Sequence, residues 1–249
     1  LDPSATGVLV VCIGKALKVC ELLSSNEKEY IAGVTLGIET DTLDMDGSIL
    51  STEVVDIESD KIREAVDSFK GIYLQEVPKY SAVKVNGRKL YEYARQGIEV
   101  KLPRKEVNIA DIEIADKIEY KDGKVYFKTK CTVSKGTYIR SLVRDIGNKL
   151  GVKAVMNSLE RTRQGKFSID EAYSLEDIMN DNYKLIKIED ALSEIPRMVV
   201  DDKEAFKIKN GVVIKKFDDE DEKFIFDKDG HLLALYRNEQ DDARVYKMF

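Results

Sequence analysis

The first fourteen residues restrict the fold more than any other part of the chain. Asp2 directly precedes Pro3, and the proline ring biases Asp2 toward extended backbone. The small residues 4–7 follow and leave room for another backbone to approach closely. The apolar run at residues 8–14 then predicts a strand that is buried on both faces. We therefore expect the Asp2 carboxylate on a stiff loop at the mouth of a core strand, where a side chain can be held in one place.

The composition excludes several kinds of site. The chain has 249 residues, of which 43% are hydrophobic, enough for one large domain or for a domain with a small appendage. None of the apolar runs reaches the roughly 20 residues of a membrane span. The three cysteines lack the spacing of a paired motif, which favours reduced thiols in a cytosolic protein. The only histidine, His231, lies near the C-terminus, which removes Ser-His-Asp, Cys-His and most His-based zinc sites from consideration. If the chain is a catalyst, it must use carboxylates, Tyr, Lys or Arg.

The charges are strongly segregated, although the net charge is −6. Residues 79–105 carry eight basic and two acidic side chains, a net charge of +6. Residues 128–166 carry ten basic and two acidic side chains, a net charge of +8, so the rest of the chain sums to −20. This segregation favours a basic face for a polyanion. The alternative is that these segments are solvated faces without a ligand.

Hydrophobic periodicity predicts a mixture of helices and strands. Helices are predicted at residues 15–25, 57–69 with Ser59 as the N-cap, 88–96, 137–150, and in parts of 175–192. Strands are predicted at residues 28–37, and at 107–119 and 124–133 on either side of the hairpin turn 121–123. Ile195-Pro196 is typical of a linker, and the segment after it has the pattern of a small β-rich appendage. The pattern alone supports no more than a mixed α and β fold.

One acidic loop has the offsets of a calcium-binding loop. Residues 42–47 place oxygen ligands at alternate positions before Gly47, and Glu53 follows at the expected distance. Thr42, however, occupies the first position, where Asp is required, and a strand pattern precedes the loop where a helix should stand. We therefore interpret the segment as a plain acidic turn.

Six short segments, beginning with residues 1–9, form a set whose order along the chain indicates a family. They read Leu-Asp-Pro-Ser-Ala-Thr-Gly-Val-Leu at 1–9, Lys-Glu-Tyr at 28–30, Thr-Asp-Thr-Leu-Asp-Met-Asp-Gly at 40–47, Tyr-Ser-Ala-Val-Lys-Val-Asn-Gly-Arg-Lys-Leu-Tyr-Glu-Tyr-Ala-Arg-Gln-Gly at 80–97, Ser-Lys-Gly-Thr-Tyr-Ile-Arg-Ser-Leu at 134–142, and Ser-Leu-Glu-Arg-Thr at 158–162. Together they resemble the TruB-type tRNA pseudouridine-55 synthase family of bacteria. There are two departures: the family's Gly-His-x-Gly stretch before the first motif is missing, and Glu160 stands where a basic residue is common. We therefore expect further residues before residue 1 in the complete protein.

The resemblance implies an α+β fold with a mixed, mostly antiparallel sheet, flanking helices and a cleft across the sheet. It implies a catalytic domain at residues 1–195, with a tRNA-gripping insertion at about 79–105. Residues 196–249 would form a small β-rich appendage like a PUA domain. The expected reaction detaches a uracil from its ribose, turns it and rejoins it through C5, at uridine 55 of tRNA.

The resemblance also implies roles for individual residues. Asp2 would be the nucleophile, attacking either the sugar or the base. Arg140 would pair with Asp2, keep the carboxylate charged and orient it. Tyr30 would stack on the flipped-out base, and its hydroxyl would assist removal of the C5 proton. The expected substrate-binding residues are Tyr138 and Leu159, which would line the pocket, and Lys84, Arg88, Lys89 and Arg95, which would contact phosphates.

The implied partner is the T-arm of tRNA. We expect a cytoplasmic protein that is a monomer, needs no obligate protein partner, does not bind a membrane, and uses no metal or cofactor. Two alternatives remain open. One is an RNA-binding module with an inactive site, and the other is a carboxylate-based hydrolase of glycosidic bonds, which would need a second catalytic carboxylate.

Overall fold

The computed structural model describes residues 2–25 and 27–249, so Leu1 of the first motif lies outside the described residues. The strands are β1 Thr6–Gly7, β2 Lys28–Leu36, β3 Ile38–Thr40, β4 Ile49–Thr52, β5 Gly71–Glu76, β6 Lys84–Val85, β7 Arg88–Lys89, β8 Arg104–Ile114, β9 Glu119–Lys121, β10 Lys124–Val133, β11 Ala154–Gln164, β12 Phe167–Ser168, β13 Arg197–Val199, β14 Ile214–Lys215, β15 Glu222–Phe226, β16 Leu232–Glu239 and β17 Asp242–Met248. The α-helices are α1 Cys20–Ser25, α2 Ser59–Asp67, α3 Leu90–Arg95, α4 Ile139–Leu150, α5 Leu175–Met179, α6 Ile188–Ala191 and α7 Asp202–Lys209.

The chain forms two compact units. The first contains residues 1–10 and 26–172, and the second contains residues 11–25 and 173–249. The division into domains at residues 1–195 and 196–249 stays a prediction. The compact units are drawn differently, since residues 173–195 belong to the second unit. Each unit has its own sheet and its own apolar core.

The first unit is built on a mixed, mostly antiparallel sheet. Its strand order is β1-β11-β2-β10-β8-β5, with β12 beside β11 and β9 beside β10. Only β1 and β11 pair in parallel within this sheet, as far as the described residues show. The hairpin turn predicted between β9 and β10 is confirmed, since Asp122 and Gly123 both have positive φ angles of 51° and 70°, as a tight primed turn requires.

The core of the first unit lies between this sheet and two helices. Alternate residues of β10 are buried, from Val125 to Val133, as expected for a strand with one face on a core. Apolar residues of α2 and α4 pack against that face. The predicted helical stop after residue 150 is confirmed: α4 ends where Gly151 takes the left-handed conformation, with a φ of 73°.

Two local predictions were wrong. Residues 8–14 do not form a buried strand: β1 ends at Gly7, and Leu9, Val11 and Ile13 are exposed. A short apolar run cannot by itself distinguish a core strand from an extended surface segment, because both lack a period. The N-cap of α2 is Glu58 rather than Ser59, with no side-chain cap hydrogen bond.

Gly7 explains why the segment before residue 8 is made of small residues. It has a φ of 98°, and a Cβ atom at this position would collide with the backbone of Arg161 in β11. The prediction that residues 4–7 admit a close backbone is therefore confirmed. This close approach joins the loop carrying Asp2 to the edge of the main sheet through β1.

The second unit has a five-stranded sheet in the order β13-β15-β16-β17-β14. Its core contains apolar residues of β15, β16, β17 and α7. The helix predicted within residues 175–192 is present as two short pieces, α5 and α6. The β-rich character expected for the C-terminal segment is confirmed, while its likeness to a PUA domain stays a prediction. None of the helices in the described part of the chain is both long and apolar enough to span a bilayer.

Candidate active site

Asp2 and Arg140 form a two-pronged ion pair. Arg140 Nε lies 2.9 Å from Asp2 Oδ2, and Arg140 Nη2 donates to Asp2 Oδ1 at 2.9 Å. The Asp2 side chain is 28% exposed, whereas that of Arg140 is only 9% exposed. Such parallel contacts fix both the position and the plane of a carboxylate. The loop before β1 and the first turn of α4 thus present one oriented carboxylate that solvent or a ligand can still reach.

The rest of the Arg140 guanidinium is held by the protein. Nη1 lies 3.2 Å from Asp44 Oδ2 and donates to the Thr42 carbonyl oxygen at 3.0 Å. Nη2 also donates to the Tyr80 carbonyl oxygen at 3.3 Å. Asp44 in turn accepts from the Thr42 hydroxyl at 2.5 Å. Three hydrogen bonds and two close ion-pair contacts therefore surround the guanidinium and restrain it from rotating away from Asp2.

Tyr30 lies on β2 between two neighbouring strands. It is opposite Cys131 of β10 and Arg161 of β11, and it is 8% exposed. Burial raises the pKa of the Tyr30 phenol, the Arg161 guanidinium opposes this change, and the negative charge of Asp2 adds to it. The carboxylate that pairs with Arg140 therefore also contributes to the raised pKa of Tyr30.

Leu159 and Tyr138 occupy different surroundings. Leu159 on β11 is buried in the same apolar cluster as Tyr30, so it can form part of the wall of a cleft there. Tyr138 is the N-cap residue of α4, directly before Ile139 and Arg140, and it is half-buried. Its main chain is held by Gln75, whose amide contacts both its N–H and its carbonyl.

The four predicted phosphate-binding residues lie on the β6–β7 hairpin and α3. Lys84 and Arg88 are exposed on the hairpin. Lys89 Nζ lies 5.5 Å from the centre of the Tyr91 ring, and Arg95 Cζ lies 5.3 Å from the same point. Among the described residues, none of these four cations has a carboxylate partner within ion-pair distance, so their charges are free to meet an anion. The structure pairs Lys84 with Lys89 across the hairpin and places Lys89 and Arg95 against one ring.

Two sequence comparisons identify the family. A model described as "TruB family pseudouridylate synthase (N terminal domain)" matches residues 1–139, and one described as "tRNA pseudouridylate synthase B C-terminal domain" matches residues 140–200. The chain belongs to the TruB family. A tRNA pseudouridine synthase B of Bacillus anthracis is 41% identical, over 96% of this chain and 81% of the relative, and one of Bacillus pumilus is 38% identical, over 95% and 81%.

Solved structures agree with this fold. One chain from a crystal structure of a Cbf5-Nop10-Gar1 complex superimposes with a TM-score of 0.67 at 25% identity, covering 100% of this chain and 74% of that one. A chain from an H/ACA RNP bound to a substrate RNA containing 2′-deoxyuridine gives the same TM-score at 23% identity and the same coverage. The second likeness concerns the fold alone. The expected pseudouridine-synthase-like α+β fold is thereby confirmed for this TruB-family chain.

Three residues that contact the candidate site residues or alter their pKa were not singled out from the sequence. Asp44 and Thr42 belong to the loop interpreted as a plain acidic turn, yet both contact Arg140 or its partner. Arg161 is buried and donates through Nε to the Val8 carbonyl oxygen at 2.7 Å. A usable signal existed, because all three lie inside motifs that carried the resemblance. Nothing in the sequence indicated which residue in each motif faces Arg140 or Tyr30.

The described residues contain one group with the donor atoms for a metal ion. Asp227, Asp229 and His231 surround the turn between β15 and β16 in the second unit. Both Asp227 carboxylate oxygens already have partners in that turn: Oδ1 accepts from the backbone N–H groups of Asp229 and His231, and Oδ2 lies 3.1 Å from His231 Nδ1. We interpret this group as the scaffold of the turn.

Proposed function

We propose that this protein is a tRNA pseudouridine synthase that isomerises uridine 55 in the T-arm loop. The observation that carries the proposal is the oriented, partly exposed Asp2 carboxylate paired with Arg140, in a chain of the TruB family. The reaction breaks the bond from ribose C1′ to N1 of uracil and forms one from C1′ to C5. It consumes no redox equivalent, so side chains alone can supply what it needs.

Asp2 is assigned the nucleophilic role. A carboxylate can form a covalent adduct at C1′ of the sugar or at C6 of the base, and it remains a competent leaving group. Arg140 holds the attacking oxygens in place and stabilises the negative charge when the adduct breaks. The fixed guanidinium needs no rearrangement during the reaction, because Asp44 and two carbonyl oxygens already hold its other nitrogens in place.

Tyr30 is assigned the handling of the base and of its proton. Its aromatic ring would offer a stacking surface for a uracil that has left the helical stack. Because burial raises its pKa, the phenol is neutral at pH 7 and can accept the C5 proton only after losing its own. Arg161 lowers the pKa of the same phenol, so a transient phenolate would form beside a fixed positive charge.

The insertion at residues 79–105 is assigned the role of binding the tRNA arm. Lys84, Arg88, Lys89 and Arg95 would contact phosphates, and Tyr138 and Leu159 would line the base pocket. The exposed basic side chains without carboxylate partners support this assignment, since phosphate contacts dominate the affinity of such proteins. We further propose that the enzyme acts in the cytoplasm as a monomer, without a cofactor or obligate partner protein. Sedimentation of the purified protein measures the oligomeric state.

The test uses an unmodified tRNA transcript labelled with tritium at C5 of uracil. We expect the intact protein to release tritium and leave pseudouridine at position 55. Asp2→Asn should still bind tRNA and release none, because an amide is not a nucleophile of the required kind. Asp46→Asn is the matched control, since Asp46 is exposed on the neighbouring acidic loop. Tritium release by Asp2→Asn at the control rate would contradict the assignment of Asp2.

The same assay separates the two alternative functions. Binding of tRNA without tritium release by the intact protein would indicate an RNA-binding module with an inactive site. Free uracil among the products would indicate hydrolysis of the glycosidic bond. Either outcome would overturn the proposed isomerase activity.

A further inference from the structure

We propose that Gln75 is a positioning residue that sets where Arg140 presents its guanidinium to Asp2. Its side-chain amide holds the peptide groups at the start of α4, two residues before Arg140. The kinetic consequence of the proposal rests on the proposed function. The positioning itself can be measured without any turnover.

Gln75 is almost completely buried, with 1% of its surface exposed, and all of its polar groups are engaged. The Tyr138 N–H donates to Gln75 Oε1 at 2.8 Å, and Gln75 Nε2 donates to the Tyr138 carbonyl oxygen at 3.1 Å. Nε2 also donates to the Tyr73 hydroxyl oxygen at 2.5 Å. One side chain therefore binds both main-chain polar groups of the same residue.

The residue that Gln75 binds is the one that starts the helix. Tyr138 has an extended backbone, and its carbonyl oxygen also accepts the first helical hydrogen bond, from the Leu142 N–H at 3.0 Å. The side chain of Tyr138 makes no cap hydrogen bond, so α4 lacks the usual local N-cap. Gln75 fixes the cap residue in a different way, by binding the N–H and carbonyl groups of Tyr138 itself from a distant strand. Arg140 follows as the second helical residue, and its direction depends on where the helix starts.

Gln75 is well placed to transmit a fixed position. It lies in β5, which is hydrogen-bonded along its length to β8 in the main sheet. The next residue, Glu76, accepts from the Ser141 hydroxyl at 2.8 Å through its carbonyl oxygen. That second link joins the same strand to the same helix, but it does not touch the peptide groups before Arg140. Ser141 therefore provides a matched control for a general loosening of the strand from the helix.

The chemistry of the side chain predicts how substitutions behave. Leucine at this position fills the space but removes every hydrogen bond. Glutamate keeps the size, but its ionised form has no proton for the Tyr138 carbonyl oxygen and repels it. A protonated glutamate regains one donor and one acceptor, so it restores both bonds to Tyr138. Gln75→Glu should consequently behave like the wild type at low pH and like Gln75→Leu at high pH.

The first experiment observes the Arg140 Nε–H group by NMR in the intact chain, assigned by its loss in Arg140→Lys. We expect its 2.9 Å contact with Asp2 Oδ2 to slow the exchange of this hydrogen with water in the wild type. We expect fast exchange in Gln75→Leu and wild-type exchange in Ser141→Ala. Equal exchange rates in the wild type and Gln75→Leu would overturn the proposal, whatever the enzyme activity.

The second experiment measures tritium release at saturating tRNA across a range of pH. Displacing a catalytic group by about 1 Å can lower turnover about 100-fold, so we expect a loss of that order in kcat for Gln75→Leu, with tRNA affinity unchanged. For Gln75→Glu the ratio of its kcat to the wild-type kcat should rise as the pH falls. Parallel pH profiles, or a loss no greater than in Ser141→Ala, would overturn the positioning role. If Gln75→Leu does not fold, Gln75→Glu carries both tests.

Discussion

Arg140→Lys tests whether the shape of the guanidinium, and not only its charge, organises the candidate site. Arg140 reaches five oxygen atoms, two of Asp2 and one each of Asp44, Thr42 and Tyr80. A lysine ammonium has three donors and no planar fork. At least two of the five contacts must therefore be lost while the positive charge remains.

The size of the effect follows from these contacts. A hydrogen bond to a charged group contributes about 1.5–3 kcal/mol, so two lost bonds at the lower bound decrease the free energy of unfolding by about 3 kcal/mol. For a unit of this size that corresponds to a fall in Tm of roughly 6–12 °C. The Asp2 carboxylate also loses its two-pronged support. A displacement of about 1 Å at a reacting group lowers kcat about 100-fold.

The assay combines thermal unfolding, tRNA binding and single-turnover tritium release. Arg144→Lys is the matched control, because Arg144 lies on the same helix and contacts Glu76 and Asp145 instead of Asp2. We expect the control to lose stability but to retain most of its activity. Affinity for tRNA should be the same in both variants. If Arg140→Lys turns over as fast as Arg144→Lys, the geometry of the guanidinium does not matter and the reasoning is refuted.

Three further predictions concern binding, backbone and pH. Lys84→Ala should reduce the slope of log affinity for tRNA against log salt concentration by about one unit. Lys117→Ala, at an exposed position outside the insertion, should leave that slope unchanged. Equal slopes for the two variants would contradict the phosphate contact of Lys84. Gly7→Ala should decrease the free energy of unfolding by about 3 kcal/mol or more, because this position combines a positive φ with a backbone collision. Gly71→Ala is the control: its φ is 101° but its surroundings are open, so its free energy of unfolding should fall clearly less. Similar melting curves for the two variants would refute this. Burial is the main cause of the raised pKa of Tyr73, so above pH 10 the folded state keeps the phenol proton and the unfolded state loses it. The free energy of unfolding should therefore fall by about 1.4 kcal/mol per pH unit in that range. Tyr73→Phe should remove this part of the alkaline loss, as measured by urea unfolding at each pH.

The sequence predicted the elements that depend on local chemistry. The strand containing Tyr30, the hairpin turn at 121–123 and the end of α4 at Gly151 all follow from periodicity and from backbone preferences of neighbouring residues. The motif set also predicted the family, which the comparisons confirm. The roles of the individual residues stay proposals. Local preferences failed at residues 8–14, where an apolar run without a period fits both a buried strand and an exposed segment.

Only the tertiary structure decided which charges meet. Arg140 lies 138 positions from Asp2, and no spacing rule connects them with Asp44. Gln75 shows no charge, period or turn signal, yet it binds the residue that begins α4. A polar side chain can bind only the groups that folding brings near it. Once it is buried, each missing hydrogen bond decreases the free energy of unfolding. The sequence by itself therefore determined the parts and their types, whereas the packing of α4 and the Asp2 loop determined how those parts form one site.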